Sequence, residues 1–457
     1  MNIISITGQT RPHALQEAFR ARDCTTDVMR TAIDLWFRLY FQIPVQGEDP
    51  CQAIPYTIVN KLTKTVFGEY KATATGPVQA VLDSLHDKKE EAMQYALAGG
   101  CCMLKPTPVQ NGWRWDVIRR DNLMVFGKDG RQYTDIGTIQ WTVQGEYYYT
   151  LLERRTVDGL GRLTIRNRLY RSLAGDELGA PCPLGELPQY AALKPEYTFP
   201  EPVGSVGMVQ LSTPMVNCVD GSDDPVSVYA AAVGLIRSIN RNEAQLSGEF
   251  ERGESRIIAS ADVLQKTVED DTGRHTFVLK DKIFVGLDDD LENTGITIFS
   301  PELREKSYLA RKQEYLRNVE SVIGLKRGLI SEVEAVERTA TEITSSAGDY
   351  NLTIIDFQRM WEKAVYEAVR LCGILGGLYQ IPSASGMSPE SVTIDWGNGI
   401  LYDEEKTRQE MLTQVQSGLL QPERYIGHCY GLPADTVAHR AKIRREYMPS
   451  MDDLTEE

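Results

Sequence analysis

The 457-residue chain contains no run of 18 apolar residues, so no membrane-spanning helix and no membrane partner are expected. Its first 23 residues lack an apolar core set between a basic end and a small-residue cleavage site. No secretory leader is expected, and the chain should stay in the cytoplasm of the cell that makes it. The eight cysteines include no C-x-x-C pair, and Cys101 and Cys102 stand together in an Ala/Gly-rich apolar stretch. They are expected to be reduced and buried rather than part of a disulfide or metal framework. Histidine is scarce: His13, His86, His275, His428 and His439 are too dispersed for a zinc or histidine-based catalytic site.

The familiar catalytic signatures are missing too. There is no G-x-G-x-x-G after a strand, no G-x-x-x-x-G-K followed by Ser or Thr, no H-E-x-x-H and no G-x-S-x-G. No cofactor, no metal and no enzymatic activity are expected. Basic residues are outnumbered, 49 against 64 acidic, for a net charge of −15. That balance argues against a protein that grips DNA through its phosphates. It is compatible with one that surrounds DNA and lets it slide, because a wall of like charge weakens adhesion.

What is present is long-range helical periodicity. Ile343, Ala347, Tyr350, Ile354, Phe357, Trp361, Ala364, Ala368, Leu371, Leu375 and Leu378 recur at steps of four and three without a miss. This spacing predicts one helix of roughly 40 residues, about 60 Å long at about 1.5 Å per residue. Two further long helices precede it. One starts at Ser222-Asp-Asp-Pro225 and keeps Tyr229, Val233, Ile236, Leu246 and Phe250 near one face, with an interruption at Ile239, Asn240 and Glu243. The other starts at Ser300-Pro301-Glu302, repeats Leu309, Leu316 and Ile323 at seven, and ends at Gly324 and Gly328. Arg304, Arg311 and Glu314 lie on its opposite face. Between the two, Phe277–Val285 reads as strand, turn, strand, and Gly295–Phe299 as another short strand. Asp288, Asp289 and Asp290 with Glu292 do not have the spacing of a 12-residue calcium loop and read as a solvated acidic turn.

The first 220 residues read as α+β. Helices are expected at 27–41 (Val28, Ala32, Leu35 and Leu39 inward), at 54–68, and as one helix over 77–99 opened by Pro77 and closed by Gly99-Gly100. An antiparallel meander follows over Ile136–Val143, Tyr147–Thr156 and Leu163–Tyr170, then an irregular Gly/Pro-rich connection over 174–207. A short strand at Val392–Trp396 and two helical segments, 403–417 and 434–446, finish the chain. Arg440, Lys442, Arg444 and Arg445 crowd the last of these, where they match the helix dipole or contact an anion.

Several segments together resemble a tailed-bacteriophage portal protein, of the type common in long-tailed phages of Gram-positive hosts. They are Ala98-Gly-Gly100 with Leu104-Lys-Pro106, Tyr149–Glu153, Asn167–Tyr170, Val216–Ser227, Asn242–Ile258, Thr339-Ala-Thr-Glu342, Trp396–Asp403 and Ser417-Gly-Leu-Leu420. Their order, joined to the succession helix, insert, helix, break, long helix, is the specific part. The resemblance covers roughly residues 50–445.

The resemblance implies an α+β fold of portal type: an α/β wing over 1–223, stem helices at 224–254 and 301–323, and a small β-containing clip at 255–300. A tunnel loop at 324–338, a long kinked or continuous wing helix at 339–380, a connection at 381–397 and a helical crown at 398–457 would complete it. The assembly implied is a homo-oligomeric ring, usually of twelve, at one capsid vertex of the virion, formed in the host cytoplasm. Double-stranded DNA would pass through it without base readout during packaging and ejection. Its implied partners are the terminase, the head-completion adaptor, and the major capsid and scaffolding proteins. Lys326, Arg327, Glu332 and Glu334 would face DNA from the loop, and Arg304 and Arg311 from the stem. Lys280, Asp281, Lys282, Asp288, Asp289 and Asp290 would serve clip docking. The tunnel loop is expected to be mobile. The competing expectation is a non-catalytic capsid or baseplate assembly scaffold.

Overall fold

A computed structural model describes residues 10–45, 47, 49–109, 112–175, 177–253, 256–259, 264–266, 277–279, 296–299, 303–332, 340–381, 387–397 and 404–448. The chain divides into two compact units, Met1–Lys64 with Ala74–Val392, and Thr65–Thr73 with Thr393–Glu457.

The first unit opens with α1 (Thr10–Phe19), which the sequence reading did not anticipate, and α2 (Asp27–Tyr40). Thr26 caps α2 by accepting from the Met29 amide at 3.2 Å. The inward face of α2 is Met29, Ile33, Trp36, Phe37, Leu39 and Tyr40; of the residues expected inward Leu39 is buried, Ala32 and Leu35 are half-buried, and Val28 is 58% exposed. The stripe is therefore rotated from the one expected. Two adjacent apolar stripes compete in this run, and the one carrying the larger aromatic area is buried. Next come α3 (Ile54–Phe67) and the short strand β1 (Lys71–Thr73) of the second unit.

The single helix expected over 77–99 is two, α4 (Pro77–His86) and α5 (Lys89–Gly99). Between Leu85 and Ala92, the buried residues that end one stripe and begin the next, the chain offers His, Asp, Lys and Glu only. With no apolar residue to hold a common face, the axis turns there. Gly100, at φ 85°, passes the chain directly into β2 (Cys101–Val109), which forms a hairpin with β3 (Gly112–Arg119).

An antiparallel meander follows: β4 (Leu123–Asp129), β5 (Gln132–Gln144), β6 (Tyr147–Val157) and β7 (Arg162–Ser172). The stretch expected to be irregular contributes two strands, β8 (Ala180–Cys182) and β9 (Glu196–Pro202), both paired with β7. Their prolines hid them, and such residues are tolerated at sheet edges. β10 (Val209–Ser212) returns to pair with β2, giving a three-stranded sheet β10–β2–β3. Side chains alternate across β2. Cys102 donates to the Ala92 carbonyl of α5 at 3.2 Å. Cys101 and Met103 join Ile118, Val125, Tyr133, Ile136 and Met208 in a buried cluster. Ala14, Leu15, Ala18 and Phe19 of α1 close a second cluster with Met124, Ile139 and Leu152.

The expected helix start at Ser222–Pro225 is not one. Ser222 Oγ accepts from Asn217 Nδ2 at 3.1 Å, and Asp224 to Ser227 are buried. A single tight turn, Ala230–Ala232, leads into α6 (Val233–Arg252). Four short strands follow, β11 (Arg256–Ala259), β12 (Leu264–Lys266), β13 (Phe277–Leu279) and β14 (Ile296–Phe299). β11 pairs antiparallel with β14 and β12 with β13, so the two ends of the insert meet, Arg256 opposite Phe299. α7 (Glu305–Ile323) starts after Arg304, and residues 300–302, where its start was expected, lie outside the described residues.

α8 (Ala340–Leu378) is one unbroken helix of 39 residues. Over its described side chains the four-three stripe is buried from Tyr350 through Ile354, Phe357, Trp361, Ala364, Ala368 and Leu371 to Leu375, and its last member, Leu378, is half-buried. It packs on β10, β2 and α4.

In the second unit β1 pairs antiparallel with β15 (Thr393–Asp395). Beside them the rings of Tyr70 and Trp396 stand 4.8 Å apart. α9 (Glu404–Gln416), α10 (Pro422–Tyr430) and α11 (Val437–Tyr447) follow. α10 was not anticipated. Arg444 of α11 donates to the buried Glu423 of α10 at 2.6 Å, and Arg440 donates to the Ala434 and Asp435 carbonyls. The basic cluster of the last helix is thus engaged internally at these two positions. Asp403, expected in the first turn of α9, lies outside the described residues.

Candidate functional site

The elements singled out by sequence, the α6–α7 pair and the segment after it, form one antiparallel hairpin with a folded-back loop. Near the loop the helices meet through apolar side chains: Ile236 and Ile239 on α6, and Leu316, Val319 and Ile323 on α7, are buried. Further along, the contact is polar. Asn242 Nδ2 donates to the Tyr308 carbonyl at 3.0 Å, and Lys312 Nζ donates to Glu243 at 2.9 Å and to Gln52 at 2.8 Å. Asn240 accepts from the Gln52 amide at 3.1 Å. Of the residues that seemed to interrupt the α6 stripe, Ile239 is buried in the apolar contact, Asn240 is buried and bonded to Gln52, and Glu243 is half-buried and paired with Lys312. Phe250, expected inward, is 43% exposed, and Leu309, expected on the packing side of α7, is 44% exposed.

Arg304 closes the insert end. Its Nε and Nη2 donate to the two carboxylate oxygens of Glu249 at 2.9 and 2.6 Å, and its own amide donates to the same group at 3.1 Å. These bonds from Arg304, with one from the Tyr308 hydroxyl, hold Glu249 down at about 2. The amide bond also explains the start of α7, since the partner helix supplies the cap. Arg304 remains largely exposed, so it is ion-paired within the chain and still faces outward. Arg311 lies about 10 Å further along α7 by helical rise. It donates to the Tyr315 hydroxyl at 3.0 Å and lies over that ring at 5.3 Å.

The loop is organised by a residue that sequence reading missed. Glu320 is 1% exposed. Its carboxylate accepts from the amides of Gly328 (3.1 Å), Ile330 (2.6 Å) and Ser331 (2.9 Å) and from the Ser331 hydroxyl (2.7 Å). Gly324, at φ 76°, ends α7 in the left-handed conformation, and Leu325 is buried behind it. Lys61 reaches the Leu329 carbonyl. Residues 324–332 are thus tied to α7 through one buried carboxylate that satisfies four donors, and the remainder of the loop expected to be mobile, 333–338, lies outside the described residues. The signal was available: Glu320 falls between Leu316 and Ile323 at steps of four and three, a charged residue on an apolar stripe. Lys326 and Arg327 are exposed at the turn; Glu332 is exposed, its amide bound to Gln313 at 2.9 Å. Glu334, and Lys280, Asp281, Lys282, Asp288, Asp289 and Asp290 of the insert, lie outside the described residues.

Elsewhere in the first unit the fold brings separated sequence segments into contact. Lys105, from Leu104-Lys-Pro106, meets Glu153, from Tyr149–Glu153, at 2.8 Å, and Arg155 meets the same carboxylate at 2.7 Å. Burial alone would raise Glu153, but these two cations outweigh it and hold the group at about 2. The Ala98-Gly-Gly100 turn receives Val216–Ser227: Ser227 Oγ donates to the Leu97 carbonyl at 3.2 Å. A Cβ on Gly100 would lie 2.4 Å from the Pro225 carbonyl oxygen.

Among the described residues no group of three or more His, Cys, Asp or Glu side chains is arranged to hold a metal, and no helix is long and apolar enough to cross a membrane. All eight cysteines are free. Cys101, Cys102 and Cys372 are buried, and burial pushes their thiols up. Cys24 and Cys218 are exposed, against expectation.

No family model and no curated protein matches this chain. Among solved structures it is similar to a chain of the neck of a native GTA particle computed with C12 symmetry, with a TM-score of 0.44 and 13% identity. That alignment covers 93% of this chain and 99% of the other.

Proposed function

We propose that the chain is the subunit of a portal, a closed ring at one capsid vertex that conducts double-stranded DNA during packaging and ejection. One observation carries the reading. An antiparallel helix pair, α6 and α7, flanks a β insert closed at its base by β11 and β14, and is followed in the chain by the 39-residue α8. A scaffold or channel wall needs elements of this length and order. The segment contacts between Lys105 and Glu153, and between Leu97 and Ser227, support it further, because the sequence pieces that carry the portal resemblance are structural neighbours.

In this reading 1–223 form the wing, 224–254 and 301–323 the stem, and 255–300 the clip that meets terminase and later the head-completion adaptor. Residues 324–338 form the tunnel loop, 339–380 the long wing helix, 381–397 the connection and 398–457 the crown. Arg304 and Arg311 offer guanidinium groups to phosphates along the stem, and Lys326 and Arg327 offer cations from the loop. The net charge of −15 limits adhesion, so DNA slides. Twelve copies are the expected number.

Native mass spectrometry with electron-microscope class averages tests this directly. A closed ring with a central hole wide enough for a duplex is expected, with scaffolding protein added if the chain alone stays monomeric. A lattice, an open filament, or monomers that refuse to close even with scaffold would move the reading to a capsid or baseplate assembly scaffold.

A further inference from the structure

The two outward flanks of the α6–α7 hairpin carry opposite charges at the same level. Glu243 and Lys312 meet across the hairpin at 2.9 Å and fix the register of the two antiparallel helices. Two residues nearer the loop on each helix are Arg241 and Glu314, so these stand level with one another. Two residues are also about 200° of helical rotation, at about 3.6 residues per turn. A side chain two positions from an inward one therefore points away from the partner helix. Arg241 and Glu314 lie back to back on opposite flanks and cannot meet within one chain.

On the α6 flank, Arg241 and Arg237 are four residues apart and both exposed. Neither makes an ion pair among the described residues. They line a shallow groove of about 210 Å³ with Asn240, Ala244, Asp49 and Pro50. The Asp49 carboxylate accepts from the Cys51 amide at 3.1 Å and from neither arginine. Like charges four positions apart on a helix repel, and an anion from outside relieves them. On the α7 flank, Glu314 is 63% exposed, and its pair with Arg317 is 3.9 Å long, at the outer limit of such a contact. Glu332 is exposed beside it and makes no ion pair among the described residues. Its amide is held by Gln313, the neighbour of Glu314. Ala310 and Ser321 on this flank and Ala244 on the other are exposed as well, and small side chains let two helices approach closely.

We infer, on the ring reading, that the next copy of this chain occupies the α6 flank and sets its Glu314 and Glu332 against Arg241 and Arg237. A ring joins unlike faces head to tail, one flank of each copy to the other flank of the next. Rotation about the ring axis leaves height unchanged. With the hairpin running along that axis, residues at one level on opposite flanks are the ones that meet. Arg241 and Glu314 satisfy both conditions. Complementary charge then fixes the register of the contact and rejects a copy approaching at another height.

The test uses the full chain, with scaffolding protein wherever the wild type needs it, and three variants: Arg241→Glu, Glu314→Arg, and the two combined. Ring yield at one chain concentration is read by native mass spectrometry and electron-microscope class averages. Arg241→Glu leaves Arg237 alone to face two carboxylates of the next copy and adds a third, so yield should fall at least about tenfold. Glu314→Arg should do the same from the other side. The combined variant exchanges the two charges and should return yield to within about twofold of wild type. Both positions are exposed, so each variant monomer should melt as wild type does. Wild-type yield and symmetry in both single variants, or a combined variant no better than either, would overturn this contact and leave the ring standing. A wild-type chain that never closes, even with scaffold, would remove the ring reading and this contact with it.

Discussion

Replacing Glu320 by Gln should open the loop after α7 without unfolding the helices that carry it. The carboxylate serves four donors, the amides of Gly328, Ile330 and Ser331 and the Ser331 hydroxyl. Glutamine keeps one acceptor oxygen and turns an NH2 group towards donors, so about two of these bonds are lost. Hydrogen bonds to a charged group are worth about 1.5–3 kcal/mol each, and the lower figure applies because the freed amides reach water when the loop lifts. The closed loop should lose about 3 kcal/mol, which is about a hundredfold in its closed-to-open ratio. Hydrogen exchange reads this directly. Peptides covering 328–331 should exchange about a hundredfold faster in E320Q, while those covering the buried stripe of α8 stay protected. Unchanged exchange at 328–331 would refute the latch and leave Leu325 and Lys61 as what holds the loop.

Three further outcomes follow from other sites. Glu153 has its folded pKa depressed from 4.5 to about 2, so its contribution is fully present above about pH 4.5 and lost as pH falls towards 2. At about 1.4 kcal/mol per pKa unit that is about 3 kcal/mol, and Glu153→Gln should remove this acid limb from a melting-temperature profile against pH. Gly100→Ala should cost about 3 kcal/mol or more by urea titration, because it combines φ 85° with a Cβ 2.4 Å from a backbone oxygen. Lys326→Ala with Arg327→Ala changes two exposed side chains and should move stability by less than about 0.5 kcal/mol. DNA packaging should nevertheless slow, and wild-type packaging by the double variant would withdraw the loop from the DNA path.

The sequence made α8 legible because every step of its stripe is apolar and the packing surface is continuous. α6 was harder, and the reason is physical. Asn240 and Asn242 are buried and hydrogen-bonded to Gln52 and Tyr308, one of them 188 positions away, so local periodicity sees only an interruption. The break between α4 and α5 was written in the charged run between Leu85 and Ala92, and was overridden by the look of a long helix. β8 and β9 were hidden by proline and by pairing that depends on β7 alone. At the candidate site, Lys326 and Arg327 stood out as cations between two glycines. Glu320 did not, since a lone acid on a stripe reads as an error in the pattern until its four donors are seen.

The hairpin is not uniform along its length, and this decides where neighbours should attach. Towards the loop it is closed by Ile236, Ile239, Leu316, Val319 and Ile323, all buried within one chain. Towards the insert it is joined by Glu243 with Lys312 and Glu249 with Arg304, and apolar side chains turn outward: Phe250 at 43%, Leu303 at 40% and Leu309 at 44% exposure. Val322 is also exposed at the loop end, but three of these four apolar side chains lie towards the insert, and such area is covered most simply by another copy, since a ring repeats the same contact around its axis. Leu309→Asp tests this. In the isolated chain the substitution sits on an exposed helical position and should cost under about 1 kcal/mol, the span of helix propensity. In a ring it would place a carboxylate in an apolar contact twelve times over, if twelve copies close. Rings should then fail to form while the monomer melts as wild type. Rings of L309D with unchanged symmetry and yield would move the subunit contact off this end of the hairpin, and the ring would have to be built through the first 223 residues instead.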